Sequence, residues 1–203
     1  MNVIERATNI ITKPSETWME IKAEEGTIWD VYKSYVIILA AIPAIAQFIG
    51  NGIIGYSFFG GYFRIGITGA LISSIVYYIL SLLSIYLEAL VLNALAPTFN
   101  SQKNITNAFK SVAYSTTPAW LAGILYIMPI LSPLVLLISL YGIYILYLGL
   151  PIMMETPKDK VLGYLIVTIL AVFLISVIVG FIVNAIVAPF YIMDIMGGIR
   201  IMR

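Results

Sequence analysis

The sequence predicts an all-α protein, a polytopic transmembrane bundle of five helices preceded by short amphipathic helices. Two observations favour this fold class. Of the 203 residues, 61% are hydrophobic and 10% are charged, and the mean hydropathy is +1.01, whereas a soluble domain carries about 25% charged residues. Charges are also sparse through the middle of the chain, which is typical of segments in lipid. Between residues 34 and 154 they are limited to Arg64, Glu88, Lys103 and Lys110.

Residues 1–33 are predicted to form a cytoplasmic amphipathic segment that remains in the mature protein, because it is charged and lacks the long apolar core of a signal peptide. A first short helix is indicated by apolar residues at helical spacing, namely Val3, Ile4, Ala7, Ile10 and Ile11. A second helix should follow Pro14 and turn Trp18 and Ile21 towards lipid. The segment is then either a solvated tail or an anchor on the membrane surface.

Five apolar runs of about 20 residues or more predict the membrane spans. They are 34–54, 66–96, 108–128, 133–154 and 161–188, followed by a short C-terminal tail, 189–203. The first contains Pro43 and should be kinked, and the aromatic, glycine-rich segment 56–63 suits an interfacial turn. The second is longer than a bilayer core and must tilt or protrude. The third and fourth are joined by a short turn bracketed by prolines and should form an antiparallel hairpin.

The distribution of Lys and Arg predicts the orientation, since these residues concentrate in cytoplasmic loops. With a cytoplasmic N-terminus, the inner segments hold eight of them and the outer segments three. The inner set is Arg6, Lys13, Lys22, Lys33, Lys103, Lys110, Lys158 and Lys160, and the outer set is Arg64, Arg200 and Arg203. We therefore expect a multi-pass protein of the cell membrane with its N-terminus in the cytoplasm.

The composition argues against most enzyme classes and against nucleic-acid binding. The chain contains neither Cys nor His, which removes thiolate nucleophiles, imidazole bases and the usual zinc ligands. The sequence has no glycine-rich phosphate loop and no pair of carboxylates within the spans. A net charge of +1 provides no basic surface for phosphates. We expect no enzymatic activity, no cofactor, no metal centre and no nucleic-acid partner.

Glu88 is the only carboxylic acid within the predicted spans. A carboxyl group in the membrane is costly unless it is paired or protonated, so Glu88 is a candidate functional residue. Helical spacing puts it on a polar stripe that faces protein or water rather than lipid. The other members of the stripe are Ser74, Tyr77, Tyr78, Ser81 and Ser84. Glu88 is then either a structural residue held by hydroxyls or a site for an ion or a proton.

Small residues recur every four positions in the third predicted span, and such a ridge lets another helix approach closely. They are Ser111, Ser115, Ala119 and Gly123. Tyr114, Ser115 and Pro118 lie on nearly one face of the same helix. Pro118 cannot donate to the Tyr114 carbonyl, so the helix should bend there, with nearby hydroxyls compensating. The ridge is interpreted as a packing surface, with a ligand-binding break at Pro118 as the alternative.

Several motifs resemble the Yip1 domain family in its bacterial and archaeal branch. The sequence AYSTTPAW at 113–120 is similar to the third-helix signature of that family. The fourth-helix exit is matched by LYLGLP at 146–151 and then by Pro157, Lys160, Gly163 and Tyr164. The N-terminal lead-in is matched by Pro14, Thr17 and Trp18. The likeness extends over residues 5–187.

The resemblance implies five spans and a cytosolic N-terminus. Eukaryotic members of the family are associated with Rab GTPases and with vesicle traffic. Their Asp-Leu-Tyr-Gly-Pro element is absent from this sequence, so that role is not carried over.

Two functional hypotheses follow from the sequence. The first is a non-enzymatic integral membrane protein that organises membrane or binds a membrane-protein partner or a second copy of itself. It would use the small-residue ridge and the amphipathic N-terminal segment as contact surfaces. The second is a transporter or channel for a small ion, a proton or a solute, using the polar stripe centred on Glu88. A pathway needs polar faces of several helices to converge on a wet cavity, whereas an adaptor needs none.

Overall fold

Helices make up most of the chain in a computed structural model that describes residues 2–58 and 61–201, with side chains for 2–55 and 64–189. The α-helices are α1 (Val3–Thr12), α2 (Pro14–Ala23), α3 (Ile28–Val31), α4 (Ile37–Ile49), α5 (Ile67–Leu95), α6 (Ile105–Ser115), α7 (Thr117–Ala122), α8 (Ser132–Met153) and α9 (Val161–Ile201). π-Helical turns flank α4 at Tyr32–Val36 and Gly50–Ile54, and 3₁₀ turns occupy Ala96–Phe99, Gly123–Ile127 and Pro129–Leu131. A short antiparallel hairpin pairs β1 (Tyr56–Phe58) with β2 (Gly61–Phe63).

Four helical stretches of the described chain are long and apolar enough to cross a membrane. They are Ile28–Ile54, Ile67–Phe99, Pro129–Met153 and Val161–Pro189. Many large apolar side chains on them are exposed, such as Leu136, Leu170 and Phe181. Because lipid is the solvent that suits such surfaces, the chain is a membrane protein whose outer faces contact the bilayer.

The first of these stretches begins six residues before the predicted span because its start is capped. The Thr27 hydroxyl accepts the backbone N–H of Asp30 at 3.2 Å, and the Asp30 carboxylate accepts the N–H of Thr27 at 2.8 Å. This reciprocal capping box satisfies donors at the helix N-terminus. The helix therefore includes polar residues that hydropathy alone places outside the membrane.

The region predicted as the third span, 108–128, is not one continuous helix. It is divided into α6, α7 and a 3₁₀ turn, and it is not among the four long apolar stretches. The break falls before Pro118, which cannot continue the backbone ladder of α6. Thr117 Oγ1 donates instead to the Tyr114 carbonyl at 2.6 Å. The prediction of a hairpin of two whole helices is thus replaced by a broken segment followed by α8.

The last helix continues past the predicted end of the fifth span at residue 188. Helix α9 runs through Pro189 to Ile201, so the predicted tail 189–203 is helical as far as it is described, and residues 202–203 lie outside the described chain. Pro189 leaves one carbonyl without its helical donor but does not end the helix.

The N-terminal helices do not turn Trp18 and Ile21 towards lipid, so that expectation is wrong. Both side chains are completely buried within the protein. The Trp18 indole N–H donates to the Ile145 carbonyl at 2.9 Å. A Cβ added to Gly149 would lie 2.7 Å from the indole. Because Gly149 has no side chain, the backbone of α8 leaves a slot there that the indole fills. Trp18 is therefore buried in close-packed protein and not in lipid.

Charged side chains tie α2 to the rest of the bundle. Arg6 forms an ion pair with Glu24 and lies 3.8 Å from Glu20. The ammonium group of Lys110 donates to the carbonyls of Ile21 at 3.2 Å and Glu24 at 2.7 Å. A cation at these last carbonyls is favourable because they have no helical donor and carry the negative end of the helix dipole.

The same end of the molecule gathers the connection that precedes the broken segment and the connection between α8 and α9. Lys22 donates to the Met153 carbonyl at 3.1 Å and pairs with Glu155 at 3.0 Å. The backbone N–H of Gln102 donates to the Met154 carbonyl at 2.7 Å. At the other end, a Cβ on Gly50 would overlap the carbonyl of Tyr126. The chain between residues 105 and 128 therefore runs from one end of the bundle to the other.

Candidate functional site

Glu88 lies on α5 and lines a cavity of about 410 Å³ between α5, α7, α8 and α9. The length of α5, 29 residues without a break, projects polar residues at intervals of three and four onto one face. Glu88 shares this cavity wall with Tyr77, Ser81 and Ser84. Four members of the predicted polar stripe, each half-buried, thus line the same cavity.

A second cavity of about 400 Å³ adjoins the first. Both cavities are lined by Ile85, Glu88, Thr116, Ala119, Ser139 and Ser176. The second one adds Ser115 and Thr168 among its polar neighbours. Since the share of liquid volume per water is about 30 Å³, either space is large enough for on the order of ten water molecules. Glu88 stands where the two spaces meet.

Most hydroxyls around the cavities donate to the carbonyl of a preceding helical turn. Thr116 donates to Val112 at 2.9 Å, and Ser139 to Leu136 at 2.7 Å. Ser81 and Ser84 likewise donate to backbone carbonyls of α5 rather than to Glu88. A hydroxyl that donates its proton in this way keeps its oxygen lone pairs as acceptors. The walls therefore present oxygen acceptors.

Two hydroxyls at the second cavity have no hydrogen-bond partner among the described residues. They belong to Ser115, which is 6% exposed, and to Thr168, which is completely buried. Buried polar groups are paired in the great majority of cases, with protein or with water. These two residues come from α6 and α9 and line the same cavity as Glu88.

Glu88 provides the carboxyl group among the described residues around the cavities. The residues that line either cavity include no Lys or Arg, and within the described chain no ion pair joins Glu88 to another side chain. The described residues contain no group of three or more His, Cys, Asp or Glu that could hold a metal ion. The site therefore combines one carboxyl with neutral hydroxyl oxygens.

The rest of the predicted stripe lies elsewhere. Ser74 and Tyr78 line a separate apolar groove against α4, and the Tyr78 hydroxyl donates to the Ile37 carbonyl at 2.9 Å. The six residues span nearly four helical turns, over which α5 passes from one neighbouring helix to another. The stripe is thus divided between a packing contact and the cavities.

Tyr114 and Pro118 are not among the residues that line the two cavities beside Glu88. The Tyr114 ring packs edge-on against Tyr35 at 4.7 Å and Trp18 at 6.3 Å, and the Arg6 guanidinium lies 5.8 Å from its centroid. Pro118 is buried in the first turn of α7. Tyr114 therefore belongs to an aromatic cluster with Trp18 and Tyr35.

The four ridge residues meet different neighbours. Ser111 is buried and donates to a carbonyl of its own helix, and Ala119 lines both cavities. A Cβ on Gly123 would lie 2.6 Å from the Pro43 Cβ. The Ser115 carbonyl lies so close to Gly142 that a Cβ there would overlap it. The break at Thr116 separates the ridge into contacts with α4 and α8.

Several cavity residues were not singled out as site residues in the sequence. They include Thr116, Ser139, Thr168 and Ser176. Thr116 lies between two other hydroxyl residues, and the other three are lone hydroxyls in apolar runs. Such hydroxyls in a membrane helix usually bond to their own backbone or across to another helix. Only the assembly of helices brings them together around Glu88.

The family model described as the Yip1 domain matches residues 8–192. Inner membrane protein YohC of Escherichia coli (strain K12) is 27% identical over 159 residues, which cover 76% of this chain and 82% of that protein. Inner membrane protein YohC of Escherichia coli O6:H1 (strain CFT073) has the same identity and coverage. No solved structure matches the chain.

Proposed function

We propose that this chain, which belongs to the Yip1 domain family, is a non-enzymatic membrane protein that lets a small ion or polar solute pass through the bilayer. The proposal is based on that membership and on the cavities beside Glu88. The convergence of polar side chains from several helices on adjoining cavities carries the proposal. Such a space is expected of a pathway and is not required of an adaptor.

The proposal includes five passages through the membrane. Four are the long apolar stretches, and the fifth is the broken segment between residues 105 and 128. The connections before and after this segment lie at opposite ends of the bundle, which supports a full crossing. Irregular backbone at membrane depth is tolerated where it is buried in protein or lines a cavity, and Thr116 at the break lines both cavities.

We place the N-terminus in the cytoplasm and the protein in a cell membrane. The bias of Lys and Arg supports the orientation. The related YohC proteins are inner membrane proteins by name, which supports a location in the cell membrane for this chain as well.

Adaptor function has less support from the geometry. Of the apolar side chains of α1 and α2 that would contact a membrane or a partner, Ile10, Trp18 and Ile21 are packed within the chain, whereas Ile4 and Met19 are exposed. Two small residues of the ridge are likewise in contact with α4 and α8. Both surfaces on which the adaptor hypothesis depended are therefore used in part inside the molecule. Assembly into a homo-oligomer or with another membrane protein would need a different surface.

Flux through proteoliposomes tests the proposal. Gradients of NaCl, KCl, glycerol and protons are imposed in turn. Vesicles that contain the wild-type chain should equilibrate at least one of these gradients faster than empty vesicles do. Glu88→Gln preserves the shape of the side chain and should abolish that flux. Glu25→Gln, at an exposed carboxyl outside the cavities, is the matched control and should leave it unchanged.

Two results would contradict the proposal. One is wild-type permeability equal to that of empty vesicles for all four gradients, with correctly inserted protein. The other is unchanged flux in Glu88→Gln. In either case the cavities would be a packing feature of the bundle.

A further inference from the structure

We infer that the cavities bind a monovalent alkali-metal cation, held by the Glu88 carboxylate and by hydroxyl oxygens from α6 and α9. This inference rests on the proposed function and names the class of its solute. It depends on four observations, namely the chemistry of the donors, the charge of the site, the unpaired hydroxyls and the size of the space.

The donors around Glu88 are oxygen atoms. The polar residues lining the second cavity are Glu88, Ser115, Thr116, Ser139, Thr168 and Ser176. Carboxylate and hydroxyl oxygens suit hard cations, whereas soft or borderline metals prefer sulfur and imidazole. The chain contains no Cys and no His. The donor set therefore selects a hard cation.

Charge balance favours a cation of charge +1. Among the described residues that line the two cavities, Glu88 is the sole carboxyl and none is basic. Net charge in a low-dielectric interior is expensive. An anion would add to the charge of Glu88, and a divalent ion would leave one positive charge unbalanced. A monovalent cation balances the carboxylate by taking the place of the proton that would otherwise neutralise Glu88.

The unpaired hydroxyls supply an independent observation. Ser115 and Thr168 are more than nine-tenths buried, line the second cavity with Glu88 and lack partners within the described chain. Ser115 approaches from α6 and Thr168 from α9, so these residues and Glu88 bring three helices to one space. A bound cation with part of its water shell would pair both oxygens. The volume of about 400 Å³ accommodates such a hydrated ion.

Thermal unfolding of the intact protein in detergent tests the inference. LiCl, NaCl and KCl are compared with choline chloride at constant ionic strength. Binding to the folded state alone should raise Tm for at least one cation, by about 5–10 °C at a hundredfold excess over Kd. Glu25→Gln, the control outside the cavities, should show the same rise. Glu88→Gln should show none.

The hydroxyl ligands are tested with shape-conserving variants. Thr168→Val and Ser115→Ala should weaken the cation affinity about fivefold to tenfold, the value of one ligand contact. Equal Tm in all four salts, a rise retained in Glu88→Gln, or unchanged affinity in both hydroxyl variants would overturn the inference. Cation binding without any flux would refute the pathway but keep the site. If glycerol or protons pass through the vesicles independently of alkali cations, and no cation raises Tm, the proposed pathway would stand and the proposed cation site would be refuted.

Discussion

Trp18 shows how a single side chain fixes the N-terminal helices to the bundle. The indole is completely buried and fills the slot at Gly149. Its N–H is satisfied by the Ile145 carbonyl, which removes the cost of burying that polar group. The ring also packs edge-on against Tyr114. Apolar contact and hydrogen bonding thus act through the same residue.

Replacing Trp18 by Ala should destabilise the protein strongly. Truncating a buried Trp to Ala lowers the free energy of unfolding by about 3–5 kcal/mol, because apolar burial is lost and a cavity is left behind. The measurement is thermal unfolding in detergent, where Trp18→Ala should lower Tm well beyond the shift of a control. Trp29→Ala is that control, since Trp29 is 58% exposed and surface changes are usually within about 0.5 kcal/mol. Equal Tm values for the two variants would contradict the assigned slot.

At this scale the sequence is informative about Glu88 and much less so about its partners. A lone carboxyl in an apolar run is conspicuous because its insertion is costly. Thr168 has no such signal, since a hydroxyl in a helix is satisfied by its own backbone in most cases. Trp18 was assigned to lipid because an amphipathic helix has the same pattern on a membrane and in a protein groove.

Among the elements, the broken segment of α6 and α7 sets the shape of the cavities. Pro118 ends the α6 ladder, and the Thr117 hydroxyl satisfies the Tyr114 carbonyl. The same hydroxyl lies 2.7 Å from that of Tyr35. Beyond α7, Gly123 begins a 3₁₀ turn against Pro43. A proline and a glycine thus let irregular backbone pack tightly against α4.

Gly123→Leu should destabilise the contact between this segment and α4. The new Cβ would lie 2.6 Å from the Pro43 Cβ and 3.1 Å from its Cα, and Pro43 has no flexible side chain that could yield. Overpacking of this kind costs about 1–3 kcal/mol, which should appear as a lower Tm in detergent.

Gly180→Leu is the matched control for Gly123→Leu, because a Cβ at Gly180 meets nothing within 4 Å. It also replaces glycine in a helix interior, which favours the folded state by up to about 1 kcal/mol. A Tm for Gly123→Leu equal to the wild-type value would refute the close contact.

At the scale of elements, the length of an apolar run predicts the helices that are unbroken. It fails where a proline interrupts the backbone hydrogen bonds of a helix. The second span was predicted at 66–96 and α5 is Ile67–Leu95. The third was predicted from its apolar run, yet the helix is broken before Pro118. Hydropathy measures transfer to lipid and carries no information about the hydrogen-bond ladder. The position of the break is instead indicated by Pro118, at which the sequence predicts a bend with hydroxyls compensating.

For the whole molecule, the resemblance to the Yip1 domain family is confirmed by a match over residues 8–192. The prediction of a membrane protein is likewise confirmed, since it depends on summed composition rather than on any single residue. The number of crossings and the orientation stay predictions. They depend on the broken segment and on a charge bias of the loops, neither of which hydropathy settles.

Cysteine labelling in intact cells tests the topology, because the native chain has no cysteine to remove. Single cysteines at Asn104, Asp159 and Arg64 occupy exposed positions in the described chain. With a cytoplasmic N-terminus and five crossings, a membrane-impermeant thiol reagent should label Arg64→Cys and spare Asn104→Cys and Asp159→Cys. After the cells are permeabilised, all three should react, which shows that the protected sites are accessible. Labelling of Asn104→Cys and Asp159→Cys but not Arg64→Cys would reverse the orientation. Labelling of only one of Asn104→Cys and Asp159→Cys in intact cells would place residues 104 and 159 on opposite sides of the membrane. Five passages require the chain to cross the membrane twice between these residues, so this result would contradict them.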